Sequence, residues 1–463
     1  MKRFAYVTFT LVALLALTYT SVAAGNPFAC VTTTAGGYST WDSDIINIEN
    51  VSQTGATVYV AVLDTGLAPN WSDYFPKERI AIELGTGFDQ SVSFKAHNDK
   101  CGLGVEVGEL RQTTWVGSTG STHGTHVTST ILGYFYQSNF DALAGFALPP
   151  IIVRGIAPDV TIIPVKVLAD YQIPALPDCT DPGPTPSQNA VFGTSEMVAA
   201  VIDYVTDLAI AGYRPMVINM SLGGDALEPV EKAAVDRAIA NGVIVVAAAG
   251  NEGEDGMSYP GAYAPVISAG SAGWIGEWLR PGSAVSASNR YRMWWLKYPF
   301  APLFPNSGEV ADPTVVKQVY VSDFSSREYP GQELDVLAPG SWVRGPFPGD
   351  PGYSHLPWWS NGIGDIVGGN SSNFVYAGGT SMATPHVASA AALILQKNPS
   401  LTQAQVEGIL KGTALAISSK GKKTILDNTV VVDITWDTNC AGTPCDAVGS
   451  GLLQVDAAIA ATP

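Results

Sequence analysis

Three short segments carry side chains that can do covalent chemistry. Asp64-Thr65-Gly66 ends a β-branched run from Thr57 to Leu63, and His123-Gly124-Thr125-His126-Val127 opens a helical stretch. Gly379-Thr380-Ser381-Met382-Ala383-Thr384-Pro385-His386 opens a helix that continues from Val387 to Gln396. In chain order they offer a carboxylate, an imidazole and a hydroxyl. A serine hydroxyl is a weak nucleophile and needs an adjacent base. His123 suits that base, since it would take the Ser381 proton and hand it to a leaving amine. Asp64 would hold the imidazole in the required tautomer and stabilise the imidazolium. At a helix start, Ser381 presents its own N–H where negative charge would develop. Taken singly, each segment has a plainer reading: a turn for Asp64-Thr65-Gly66, a capped helix start for the two histidines, an N-cap for Ser381. His126 and His386 read as structural residues.

These residues need elements to hold them. Besides Thr57 to Leu63, the runs Thr161 to Leu168, Met216 to Met220, Val243 to Ala248, Pro265 to Ala269 and Leu334 to Ala338 are apolar almost throughout. Unbroken apolar runs fit strands covered on both faces, as in a parallel sheet. Between them, Met197, Val198, Val201, Ile202, Val205, Leu208 and Ala209 repeat at helical spacing and stop at Gly212. Val230, Ala234, Ala238 and Ile239 do the same and end at Asn241-Gly242. Alternating strands and helices predict an α/β domain, a three-layer doubly wound parallel sheet. Functional residues in such sheets gather beyond the carboxyl ends of strands, and Asp64, Ser221 and Asn251 all fall where a predicted strand ends. Four stretches look like long loop insertions: Trp71 to Gly120, Tyr171 to Phe192, Ile275 to Tyr320 and Gly340 to Tyr376. Within the third, the run from Arg290 to Trp295 mixes arginine with aromatics, which packing explains better than base stacking in so acidic a chain.

Other chemistries are poorly served. Asp-Thr-Gly also marks proteases that share a proton between two carboxylates, but one such triplet is present. The strand-to-helix nucleophile elbow needs Gly-x-Ser-x-Gly, whereas Ser381 precedes Met382-Ala383. His123-Gly-Thr-His126 is not the zinc motif His-Glu-x-x-His. The order Asp, His, Ser instead resembles the subtilisin-like serine proteases. Further blocks extend the resemblance over about residues 57 to 460: Gly155-Ile156-Ala157-Pro158, Pro164 to Leu168, Ile218-Asn219-Met220-Ser221-Leu222-Gly223-Gly224, Ala247 to Gly253, Phe324-Ser325-Ser326, Leu334 to Gly340, and Gly451 to Ala458.

That resemblance implies a serine endopeptidase with Asp64, His123 and Ser381 as the triad. The Asn251 amide and the Ser381 N–H would then form the oxyanion hole. It implies an extended peptide held between Gly193-Thr194 and Ser221-Leu222-Gly223 by backbone hydrogen bonds, a mode that reads extension rather than sequence. The pocket for the residue before the cut (P1) would be walled by Ala248, Ala249 and Gly250 with Ser258 toward its floor, favouring an apolar or aromatic side chain, while Glu252 at the rim tolerates Lys or Arg. A structural calcium ion is also suggested, because Asp73 follows Asp64 at the spacing of one family ligand. The loop Leu132 to Arg154 that should supply the other oxygens departs from the family pattern, and calcium takes about six to eight. No catalytic cofactor is expected. The alternative from another class is an inactive peptide-binding scaffold, which has no need of all four catalytic residue types.

At the N-terminus, Lys2 and Arg3 precede an apolar run from Phe4 to Leu17 and small residues up to Ala24. This pattern predicts a signal peptide over 1–24 and a secreted protein. A short arm, 25–53, follows, too short for the folded pro-domain that secreted members usually carry, and 54–463 form the catalytic domain. Export would let the five cysteines oxidise. Cys440 and Cys445 are placed for a local loop, and Cys101 and Cys179 can pair, leaving Cys30 over. The net charge of −17 argues against nucleic acid and anionic membranes as partners, and leaves polypeptides, met by a monomer.

Overall fold

A computed structural model describes residues 27–96, 103–118, 122–136, 150–173, 188–291, 294–297, 308–348, 358–360 and 373–463. The expected signal segment, Cys101 and Cys179 lie outside them. The described residues 27–31, with a turn over 27–30, belong to one unit, and the described residues from 32 to 463 form the other.

The larger unit is built on a nine-stranded sheet. Its strands are β1 (Tyr59–Asp64), β2 (Thr86–Ala96), β3 (Leu103–Thr113), β4 (Thr161–Lys166), β5 (Met216–Met220), β6 (Ile244–Ala248), β7 (Ile267–Trp274), β8 (Val319–Val321) and β9 (Val336–Pro339). They run in the order β8-β7-β6-β5-β1-β4-β2-β3, with β9 pairing β7. The central pairs are parallel, as the unbroken apolar runs required. Two antiparallel strands add to this parallel core: β8 on β7, and β3 on β2.

Successive side chains of a strand point to opposite faces. Val60, Val62, Ile244 and Val246 accordingly pack with helices α1 (His123–Leu132) and α4 (Thr380–Lys397), while Ala61, Leu63, Val245 and Ala247 pack with α2 (Ser195–Ile210) and α3 (Pro229–Ala240). The three expected layers are present. Each fully buried Val, Ile or Leu contributes about 1.5–3 kcal/mol, so the central strands anchor the site rigidly. The Thr194 hydroxyl caps α2 by accepting the Met197 N–H at 3.2 Å, and Pro229 begins α3 where a missing N–H costs nothing.

The four insertions contain more order than loops. Residues 71–120 contain β2 and β3, an antiparallel pair of eleven-residue strands that widens the sheet. Residues 171–192 supply most of the hairpin Ala169–Ile173 with Gln188–Phe192. Residues 340–376 contribute the three-stranded sheet of Val343–Pro346, Phe374–Gly378 and Trp358–Ser360. β3 is exposed from 105 to 113 and so lacks the continuous apolar run that marks the central strands, while Val343–Pro346 and Phe374–Gly378 are buried but only four and five residues long. In 275–320, Trp278, Trp294 and Trp295 are fully buried, with Trp294 stacked on Tyr376 at 5.2 Å, so the aromatic cluster does pack. A C-terminal hairpin, Gly421–Asp427 with Val430–Trp436, and the disulfide Cys440–Cys445 complete the unit. Cys30 is the free thiol among the described residues.

Candidate active site

Asp64 is the last residue of β1 and has no solvent exposure. Its Oδ1 accepts the Thr65 N–H at 2.7 Å. His123, the first residue of α1, brings Nδ1 to 2.8 Å from Oδ1 and 2.9 Å from Oδ2. An ionised carboxylate only accepts, so Nδ1 holds the imidazole proton and Nε2 is left as the acceptor facing the cleft. Two local features allow this approach. A Cβ on Gly124 would lie 2.5 Å from the Gly66 carbonyl oxygen and 3.0 Å from the Asp64 Cβ, so only glycine lets the helix start sit this close to β1. The Thr65 hydroxyl accepts the Gly124 N–H at 2.9 Å, satisfying one of the free amides of the first turn.

Ser381 is the second residue of α4, where its N–H is among the amides with no helical acceptor. Pro385 lies four residues on, inside the helix. It has no N–H to give to the Ser381 carbonyl, and the Ser221 hydroxyl donates to that oxygen instead, at 2.8 Å. The Ser381 hydroxyl in turn donates to the Ser221 carbonyl at 3.2 Å. The hydroxyl is therefore turned to Ser221 rather than to His123; catalytic hydrogen bonds commonly tighten only with substrate. Asn219 donates to the Ser221 hydroxyl at 3.1 Å, steadying the pair from behind.

Asn251 lies three residues beyond β6. Its Oδ1 accepts the Thr380 N–H at 2.8 Å and the Thr380 hydroxyl at 3.0 Å. A backbone N–H can only donate, so the amide has one orientation, with Nδ2 free to donate elsewhere. A methyl carbon placed on Gly379 would stand 3.7 Å from the Ser381 nitrogen and 3.8 Å from Asn251 Nδ2. The two donors thus share one small space, as an oxyanion site requires.

His123, Ser381 and Asn251 line a single cleft of about 270 Å³ together with Gly193, Ser221, Leu222, Gly223, Ala248, Gly250 and Ser258. Ala249 departs from the expectation: next to Ala248 in the chain, it faces the other way and is buried in the main core. Gly250 has φ +106°, and a Cβ there would meet Glu252 Oε2 at 2.4 Å. Glu252 Oε2 is close because it accepts hydroxyls from Ser258 at 3.0 Å and Ser326 at 2.9 Å, setting one carboxylate in the cleft lining. On the other side of Asn251 and Glu252 lies a second hollow of about 510 Å³, lined by Phe324, Trp342, Ile425 and Ile434 among others. Sequence reasoning did not single out Thr65, Pro385 or the hairpin residues Ile425 and Ile434. Pro385 was visible inside its motif; the hairpin carried no local signal.

The two other described histidines, His126 and His386, are structural. His126 is fully buried, its Nε2 lies 3.1 Å from the Val343 carbonyl, and burial, assisted by His123, pushes its pKa down to about 3. It is neutral and does not compete with His123 for a proton. His386 bridges the Met382 carbonyl and Asp42. Asp73 is exposed at the end of a single turn, Trp71–Asp73, and belongs to no group of three or more His, Cys, Asp or Glu side chains among the described residues. The acidic group Glu333, Asp335 and Glu407 already surrounds Lys411, whose Nζ pairs with all three, at 3.0 Å from Asp335 and 3.3 Å from Glu407. An ammonium fills that place, so this acidic group does not fit a calcium ion.

The subtilase family model matches residues 55–434, most of the chain. The chain belongs to the subtilase family. This subtilase is 29% identical over 364 residues to subtilisin DY of Bacillus licheniformis, a match covering 78% of this chain and 84% of that protein. With subtilisin E of Bacillus subtilis strain 168 it shares 29% identity over 365 residues, covering 78% of this chain but 61% of the relative, under two thirds of its length. Its fold matches the crystal structure of fervidolysin from Fervidobacterium pennivorans, a keratinolytic enzyme related to subtilisin, with a TM-score of 0.50 at 23% identity, over 91% of this chain and 46% of that one. Membership makes the chain a serine peptidase at the level of class.

Proposed function

We propose that this subtilase is a secreted endopeptidase that cuts polypeptides through an acyl-enzyme on Ser381. It would act broadly, with apolar or aromatic side chains favoured at P1. The observation that carries this reading is the convergence of the Asp64-paired His123, the Ser381 helix start and the Asn251 amide on one cleft. Substrate in the cleft displaces the Ser381 hydroxyl from the Ser221 carbonyl toward Nε2 of His123. The imidazole takes its proton as Oγ attacks the scissile carbonyl. Asp64 stabilises the imidazolium. The carbonyl oxygen, now negative, accepts from Asn251 Nδ2 and the Ser381 N–H. His123 then protonates the leaving amine, and water repeats the sequence in reverse to free the acid.

Ala248 and Gly250 leave room for a large apolar P1 side chain, and the Glu252 carboxylate in the cleft lining accepts Lys or Arg as well. The charged N-terminus with its apolar core supports export; among the described residues no helix is long and apolar enough to cross a membrane. A serine-directed sulfonyl fluoride tests the chemistry: the wild type should be labelled and cut casein, and Ser381→Ala should do neither. An unlabelled wild type without caseinolysis would refute the proposal and favour the inactive scaffold.

A further inference from the structure

The cleft holds one carboxylate that the chemistry above leaves unused. Glu231 sits in the first turn of α3 and lines the cleft with Val198 of α2, Leu222 and Ala226. It is only 5% exposed. A glutamate at the third helical position usually reaches back to bond the N-cap amide, but the cap of α3 has no such bond, and Glu231 makes no hydrogen bond or ion pair. A buried carboxylate without a partner is costly, so its place at the cleft wall calls for a cation from outside.

No cation among the described residues fills that role. The charged groups on the elements around it are Asp225 and Glu228 before or at the helix cap, Glu196, Asp203 and Asp207 on α2, and Lys232, Asp236 and Arg237 on α3. Lys232 is taken by Asp236 at 2.6 Å and the face of Tyr263, and Arg237 by Asp203 and Asp207. Burial and then Glu228 push the Glu231 carboxyl up to about 7.

The position along a substrate follows from the strand edge. Ser221 touches Ser381 through both of its oxygens, so it marks the residue at the cut. Pairing one substrate residue per residue along Ser221, Leu222, Gly223 and Gly224 brings the fourth residue before the cut, P4, beside Ala226 and Glu231. We propose that Glu231 makes this end of the cleft a subsite for a basic P4 side chain, Lys or Arg. The aliphatic stem lies on Val198 and Leu222 and the charged head meets the carboxylate, as long cationic side chains favour.

The inference rests on the endopeptidase reading, and its test separates the two. Two fluorogenic peptides identical except for Lys or Leu at P4 are cut by wild type and by Glu231→Gln at pH 6 and pH 8 in low salt. The readout is the Lys:Leu ratio of kcat/KM within one enzyme preparation, which does not depend on the folded fraction. In the wild type the ratio should rise about tenfold from pH 6 to pH 8, as the carboxylate ionises and gains a charge-assisted bond. In Glu231→Gln the ratio should be flat with pH and close to one. A wild-type ratio that is flat, or a rise that persists in Glu231→Gln, overturns the subsite while leaving the endopeptidase intact. Failure of the wild type to cut either peptide, or casein, overturns both.

Discussion

The orientation of Asn251 is the most exposed point of the proposed mechanism, because it depends on one residue, Thr380. The amide oxygen is held by two Thr380 donors, a backbone N–H at 2.8 Å and the hydroxyl at 3.0 Å. Thr380→Val removes only the hydroxyl and preserves shape. One neutral hydrogen bond is worth about 0.5–1.5 kcal/mol, and about 1.4 kcal/mol is tenfold in rate. With the backbone donor intact, kcat should therefore fall about 2- to 10-fold. Asn251→Leu removes the oxyanion donor itself and should cost about 10²–10³-fold, the range known for the equivalent donor in subtilisin and borrowed from there. KM should barely move in either variant, because the bond forms with the developing charge and not with the bound ground state. Thr380→Val also leaves the Gly250 N–H, 3.3 Å from the lost hydroxyl, without an acceptor, so its stability should drop by about 1–3 kcal/mol. Steady-state hydrolysis of a peptide anilide, corrected by active-site titration, measures both. If Thr380→Val loses as much kcat as Asn251→Leu, the backbone N–H does not aim the amide. If Asn251→Leu keeps kcat within about threefold of wild type, the oxyanion assignment itself is wrong.

Three further outcomes follow from particular contacts. Pro385→Ala restores an N–H that competes with Ser221 for the Ser381 carbonyl, so kcat should fall several-fold while the melting temperature holds or rises; an unchanged kcat would mean the Ser221 bond does not position the nucleophile. Glu277 is fully buried, and desolvation pushes its pKa up to about 8 against donors from Trp274, Tyr320 and Ser341. An acid raised on folding keeps its proton in the folded state, so its contribution to stability should be full below the unfolded value near 4.5, fall as pH rises toward about 8 and level off above it; calorimetry of Glu277→Gln should show that slope reduced, and an identical slope would contradict the assignment. Lys411→Met strips the counter-ion from Asp335, which has no exposure, and should destabilise by about 2 kcal/mol in urea, below the value for a fully buried pair because Lys411 is partly solvated.

The sequence by itself determined the chemistry and the frame. The carboxylate, imidazole and hydroxyl were legible because each sits in a short motif at the end of a strand or the start of a helix, where backbone geometry is local. The central strands were legible because both of their faces are covered, which writes a continuous apolar run. Only the tertiary structure decided what lies between. It showed β2 and β3 extending the sheet, because β3 is exposed from 105 to 113 and writes no continuous apolar run. It turned Ala249 into the core, a matter of strand parity invisible in a run of three alanines. It placed Ser221 against the carbonyl that Pro385 leaves free, and Lys411 inside an acidic group that composition alone would offer to a metal. It also brought Glu231, an unremarkable first-turn glutamate by sequence, to the wall of the cleft without a partner. Each of these contacts joins segments distant in the chain, and packing between elements is what sets them.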